Sequence, residues 1–126
     1  MRLPLAFAFA LLSLPAYAQA SLPTTADCAF ENKSPFPPDK WTFSAISGDG
    51  GTATIASTTG PGEARVFVSG ESVNFLQLFP GGGGRLITAI LQEGLTEAPA
   101  FMVSTTPISK DAVTAMGLAG TCTMTF

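Results

Sequence analysis

The clearest alternation of apolar and polar positions lies at the C-terminal end of the chain. Between Gly120 and Phe126 every second residue is apolar or glycine, and all the residues between them are threonines. A two-residue period of this kind predicts a β-strand with one buried face. Because threonine suits a pleated, solvated surface, the other face of this strand is predicted to meet water.

Short alternating runs of the same type recur through the rest of the chain. They end at Gly, Asp or Pro and return about every 8–12 residues, a spacing typical of a sandwich or barrel. The predicted strands are 41–45, 52–57, 64–69, 72–79, 85–92, 100–105 and 120–126. Short turns such as Asp49-Gly50 favour hairpins between successive strands. The predicted fold class is all-β: a single-domain antiparallel meander of about seven strands, as a small barrel or a sandwich.

One segment departs from the two-residue period. Thr106 and Pro107 are suited to the cap and the first turn of a helix. Ile108, Ala112 and Met116 then recur at helical spacing. We therefore predict one short helix, from Pro107 to Met116, before the last strand.

Some apolar residues do not follow the main apolar row of their strands. Between Ser72 and Phe79 the apolar positions change face, which either a β-bulge or two buried faces would produce. Side chains predicted on the face opposite the main row are Phe67, Leu86, Ile90 and Met102. Either the sheet curls so that both faces are covered, or some apolar surface stays exposed.

The N-terminal segment, residues 1–20, has the layout of a secretory signal peptide. Arg2 precedes an apolar run, and small residues allow cleavage after Ala18 or Ala20. The run is shorter than the roughly 20 apolar residues of a membrane span, so no integral membrane segment is predicted after signal removal. Residues 21–39 follow as a Pro-rich entry segment with a candidate short strand at Cys28–Phe30, and residues 40–126 form the β-domain. The predicted location is periplasmic or secreted.

The chain contains two cysteines, Cys28 and Cys122. A pair of cysteines in an exported chain predicts one disulfide. Their wide separation differs from the Cys-x-x-Cys spacing of redox-active pairs, so the bond is interpreted as structural. It would clamp the start of the exported chain to its last strand and close the β-domain.

Charge and residue types narrow the function classes. Residues 21–126 contain five basic and nine acidic residues, a net charge of −4. Nucleic acid and anionic membrane are therefore poor partners, because both are bound through clustered Lys and Arg. The chain has no histidine, which excludes Ser-His-Asp and Cys-His catalysis and His-based zinc sites.

The remaining carboxylates favour no catalytic or metal site. Asp49 supplies one carboxylate where a calcium loop usually supplies several, so it is interpreted as a turn residue. Glu93 and Glu97 flank another turn and are interpreted as surface residues rather than as a glycosidase pair. We predict a protein that is not an enzyme, with no catalytic residue, no cofactor and no metal.

Function is predicted only as a class. The favoured hypothesis is an exported, non-enzymatic binding or accessory protein of the cell envelope with a small apolar ligand. The residues predicted to line its site are Trp41, Phe67, Phe75, Leu86, Ile90 and Met102. For Trp41, core packing is the alternative interpretation. The alternative function is a protein-binding module, such as an inhibitor of a basic secreted hydrolase that binds through acidic loops.

The ending Gly120-Thr121-Cys122, taken with the preceding hairpins and the early Cys28, resembles small exported bacterial proteins with a β-rich body. The resemblance extends over most of the chain that follows the predicted signal peptide. It implies an exported β-domain and no particular activity, so no site residue is taken from it.

Overall fold

The computed structural model describes residues 22–32, 37–58 and 60–126. The predicted signal peptide, residues 1–20, lies outside these ranges. Within them the chain forms strands joined by turns and loops. The strands are β1 Thr25–Phe30, β2 Asp39–Ser44, β3 Thr52–Ser57, β4 Gly60–Ser69, β5 Ser72–Leu78, β6 Gly84–Ile90, β7 Glu97–Ser109 and β8 Ala112–Thr125.

Each strand pairs antiparallel with the next one along the chain, and β8 pairs with β1, so the sheet closes into a barrel. The predicted all-β antiparallel meander is confirmed, with eight strands in place of about seven. The eighth strand, β1, confirms and extends the candidate short strand Cys28–Phe30 in the Pro-rich segment 21–39, and it pairs with both β2 and β8. In the part of the chain that the structure describes, no helix is long and apolar enough to span a membrane.

The segment Pro107–Met116, predicted as a helix, belongs to the β7–β8 hairpin, and that prediction is wrong. Pro107 lies opposite Val113, and Ser109 lies opposite Ala112. The register of the two strands shifts between Pro107 and Ser109. Three of its ten residues, Ile108, Val113 and Thr114, are β-branched, and such side chains favour strands. A register irregularity also accommodates proline, which cannot donate a hydrogen bond to the ladder.

The interior of the barrel is filled by every second side chain of the strands. Its largest fully buried side chains include Phe30, Phe43, Ile55, Val66, Val73, Phe75, Ile87 and Met102. The rings of Phe43 and Phe75 stack at its centre, with their centroids 4.0 Å apart. Trp41, Val66 and Met124 belong to the same core, so the predicted shared interior is confirmed.

In β4 to β6, the side chains that alternate with the buried ones point outward. Phe67, Leu86 and Ile90 are 43%, 38% and 40% exposed, which confirms their predicted position away from the core. Met102 is buried instead, and its predicted outward position is wrong. In β5 the change of face needs no bulge, because the strand pairs in continuous register with both neighbours.

The predicted disulfide between Cys28 and Cys122 is confirmed. The two cysteines lie directly opposite each other on β1 and β8 and are both buried. The bond therefore crosses the seam where the two ends of the meander meet. A disulfide in this position is typical of proteins in an oxidising, extracytoplasmic environment.

At the same seam, Gly120 allows β8 to approach β1 closely. A Cβ atom at this position would collide with the carbonyl oxygen of Ala29 and lie 2.6 Å from Cδ1 of Phe30. We expect Gly120→Ala to lower the free energy of unfolding by about 1–3 kcal/mol, because the two strands would have to separate.

The matched control is Gly81→Ala, because a Cβ at Gly81 meets no atom within 4 Å. Urea denaturation of both variants measures the difference. Equal midpoints for the two variants would show that β1 and β8 do not approach each other in this way.

Candidate functional site

The six residues predicted to line one ligand site fall into two groups. Trp41, Phe75 and Met102 are core residues, each at most 3% exposed. Phe67, Leu86 and Ile90 lie on the outer surface of the barrel. The barrel wall separates the two groups, so the six residues do not line one cavity.

The outward group belongs to a larger apolar surface. We define the outer apolar face as the outward side chains Phe67, Leu76, Leu86, Ile90, Phe101 and Val103. Leu86 is the direct cross-strand neighbour of both Leu76 and Val103. Three adjacent strands therefore carry a continuous apolar row, and contiguous exposed apolar surface is typical of interaction sites.

The outer apolar face has one charged neighbour on β4, the exposed Arg65, which lies directly opposite Leu76. On the other strands of the face, outward charge is almost absent. In the four strands β5 to β8 the only charged residues are Arg85, which points into the barrel, and Glu97, the first residue of β7. The opposite half of the barrel is polar. There the outward side chains include Asp27 and Thr42, joined by a 2.8 Å hydrogen bond from Thr42 Oγ1 to Asp27 Oδ1. The barrel is therefore amphipathic across its width.

The polar side chains within the outer apolar face bond to one another or to the backbone. Thr88 Oγ1 donates to Asn74 Oδ1 at 2.7 Å. Asn74 Nδ2 in turn donates to the carbonyl oxygen of Phe67 at 3.2 Å. These groups have internal partners, so covering the face would cost little in unpaired polar groups.

An open depression lies at one end of the outer apolar face, beside the β5–β6 loop. Its volume is about 480 Å³. The residues around it are mainly apolar, and they include Leu76, Leu78, Gly84, Leu86, Val103 and Thr105. The loop is held against β7, since a Cβ at Gly83 would collide with the carbonyl oxygen of Thr105.

The β7–β8 hairpin extends beyond its neighbours on both sides. Strand β6 pairs with β7 only as far as Thr105, and β1 pairs with β8 only from Gly120 onward. The projecting part carries Ile108, Val113 and Met116, which are 66%, 67% and 52% exposed. This hairpin continues the apolar surface past the rim of the barrel.

No cluster of three or more metal-ligating side chains occurs among the described residues. Asp49 is interpreted from the sequence as a turn residue rather than a calcium ligand. Its Oδ1 accepts a 2.8 Å hydrogen bond from the backbone N–H of Val68. It therefore joins the β2–β3 turn to β4. The carboxylates of Glu93 and Glu97 are exposed in and after the β6–β7 connection.

Sequence reasoning missed Phe101 and Val103 as outward residues, because the apolar residues of β7 occur in both phases. The signal that could have found them is the small size of Ala98 and Ala100, which alternate with them and fill the crowded interior. Comparison with protein-family models, curated proteins and solved structures found no match. The outer apolar face is therefore interpreted from its own geometry.

Proposed function

We propose that the chain is an exported, non-enzymatic binding protein of the cell envelope whose outer apolar face is its protein-docking surface. The occupant is a second copy of the chain, bound face to face. The observation that carries the proposal is the charge-free apolar row Leu76, Leu86 and Val103 on an otherwise acidic protein.

A protein partner fits the depression better than an enclosed small molecule does. Small-molecule sites generally bury most of the ligand surface, whereas this depression is open to solvent. Protein interfaces use such depressions to seat one apolar anchor side chain from the partner. Leu78, which is 71% exposed at the edge of the depression, is an anchor of this kind.

A second copy fits the charge distribution. With a net charge of −4 for residues 21–126, two exported copies repel each other at most orientations. Because β5 to β8 carry almost no charge, this repulsion is weakest when the outer apolar faces meet. Face-to-face contact is also isologous, so the same patch is used on both copies and the assembly closes as a dimer.

Export is supported by two independent features. The first 20 residues have the layout of a signal peptide. The Cys28–Cys122 disulfide is typical of an oxidising compartment. A binding protein of the cell envelope would have both a signal peptide and a disulfide.

The test is sedimentation equilibrium of the wild-type protein and of Leu86→Glu. We expect a wild-type dimer at concentrations of about 10 µM. The new carboxylate would be desolvated at the centre of the interface, so we expect Leu86→Glu to weaken dimerisation by about tenfold or more. Ala56→Glu is the matched control, since Ala56 is exposed on the polar half of the barrel. It should dimerise like the wild type.

Two results would overturn the proposal. One is a wild-type protein that stays monomeric at the highest soluble concentration. The other is a dimer that Leu86→Glu leaves intact. A monomer that takes up one acyl chain, and loses it in Leu86→Glu, would instead assign the face to the small apolar ligand of the first hypothesis. Inhibition of a basic hydrolase remains a prediction that would use other surfaces, because the row around Leu86 has no carboxylate.

A further inference from the structure

One end of the barrel interior is polar, in contrast to the rest of the core. Inward residues at the end where β5 turns into β6 are Gln77, Arg85 and Ser104, together with the indole of Trp41. Arg85 is the cross-strand neighbour of both Gln77 and Ser104. We call Trp41, Gln77, Arg85 and Ser104 the mouth cluster.

Two aromatic rings and a hydroxyl fix the position of the positive charge in the mouth cluster. The guanidinium carbon of Arg85 lies 4.9 Å from the ring centroid of Trp41 and 5.3 Å from that of Phe79. Its Nε donates to Ser104 Oγ at 3.4 Å. Cation–π contacts of this kind hold a guanidinium in one orientation.

Two polar atoms of the mouth cluster are buried and have no hydrogen-bond partner among the residues that the structure describes. They are the donor Nε1 of Trp41 and the acceptor Oε1 of Gln77. Trp41 is 3% exposed, so bulk water does not compensate this group. Buried polar atoms without a partner destabilise a protein, so native structures contain few of them.

The arrangement also limits where a ligand could sit. A Cβ at Gly62 would lie 2.6 Å from Nε2 of Gln77, so the glycine provides the room that this amide occupies. Below the cluster, Trp41 is followed by Phe43, with ring centroids 6.3 Å apart, and by the Phe43–Phe75 stack. Gln77 and Arg85 are partly exposed. The aromatic core therefore limits how deep a ligand could lie.

We infer that the mouth cluster binds a small hydroxycarboxylate. A carboxylate accepts hydrogen bonds and carries the negative charge that suits Arg85 and the Nε1 donor of Trp41. A hydroxyl next to it donates to Oε1 of Gln77. This pair of groups satisfies both unpaired atoms, which a carboxylate alone does not. The two unpaired atoms lie inside the barrel, whereas Arg85 also borders the depression on the outer apolar face.

Trp41 is the only tryptophan of the chain, so its fluorescence reports on the mouth cluster directly. The experiment titrates the purified, disulfide-bonded protein with malate and with succinate, the matched acid that lacks the hydroxyl. Inorganic phosphate is the third probe. We expect a saturable change with malate and about tenfold weaker binding of succinate and of phosphate.

Variants assign the two contacts. Arg85→Met should weaken malate binding by about tenfold or more, and Gln77→Leu should remove the preference for malate over succinate. The matched controls are Arg65→Met and Gln92→Leu, both at exposed positions. They should bind malate like the wild type.

The comparison of malate, succinate and phosphate binding uses only the wild-type protein, so it tests the inference even if a variant fails to fold. No saturable change with malate up to about 10 mM would overturn the inference. So would equal binding of malate and succinate, or tighter binding of phosphate than of malate. Malate binding that is unchanged in a folded Arg85→Met variant would also contradict it.

Discussion

Replacing both Cys28 and Cys122 by alanine should lower the free energy of unfolding by about 4–5 kcal/mol. The bond joins residues 94 apart in sequence, so the loop it closes contains nearly all of the chain that forms the barrel. Without it the unfolded chain gains the conformational freedom of that long loop. Total stabilities of single domains are about 5–15 kcal/mol, so the loss is a large part of the whole.

Urea denaturation at neutral pH measures this effect. The wild-type protein in reducing agent is the control, since both samples lack the bond and should unfold at similar urea concentrations. Alanine is chosen because both positions are buried and a serine hydroxyl would have no assured partner there. A loss below about 1 kcal/mol would show that the seam between β1 and β8 holds without the covalent bond.

Replacing Phe75 by alanine should lower the free energy of unfolding by about 3–5 kcal/mol. Phe75 is 1% exposed, and its ring stacks on Phe43 with centroids 4.0 Å apart. Removing it leaves a cavity at the centre of a closed barrel, whose hydrogen-bonded wall can collapse only partly.

Phe67→Ala is the matched control, because Phe67 is 43% exposed on the outer surface of the adjacent strand. Its loss should be below about 1 kcal/mol. Thermal unfolding followed by circular dichroism compares the two variants. Equal losses would mean that the assignment of inward and outward positions on β4 and β5 is incorrect.

The strand phases could be predicted where one face of a strand is consistently apolar. Trp41 and Phe43 alternate with Thr42 and Ser44, and both aromatic side chains are inside the barrel. In β7 apolar residues occupy both phases, so periodicity alone does not choose between Phe101 and Met102 for the interior. The choice depends on the space inside a closed barrel, which is a property of all the strands together.

The predicted helix failed for a related reason. Ile108 and Met116 have helical spacing, but both lie in the projecting hairpin and neither contributes to a buried helix face. Cross-strand pairing satisfies the backbone there. Pairing partners distant in sequence cannot be read from local periodicity.

The candidate sites show the same division. The sequence predicts Phe67, Leu86 and Ile90 on the face opposite the main apolar row, and these three residues belong to the outer apolar face. The mouth cluster could not be predicted, because Gln77, Arg85 and Ser104 meet only through the register of three strands. Nothing in their local sequence distinguishes them from surface residues.

Closure of the barrel is the claim on which both sites depend, since it separates one interior from one outer surface. Backbone nuclear Overhauser contacts of β1 test it most directly. We expect β1 to show contacts to β2, such as Asp27 to Thr42, and at the same time to β8, such as Asp27 to Thr123. Contacts to β2 alone, with β8 paired only to β7, would mean an open sheet and would contradict the closed barrel.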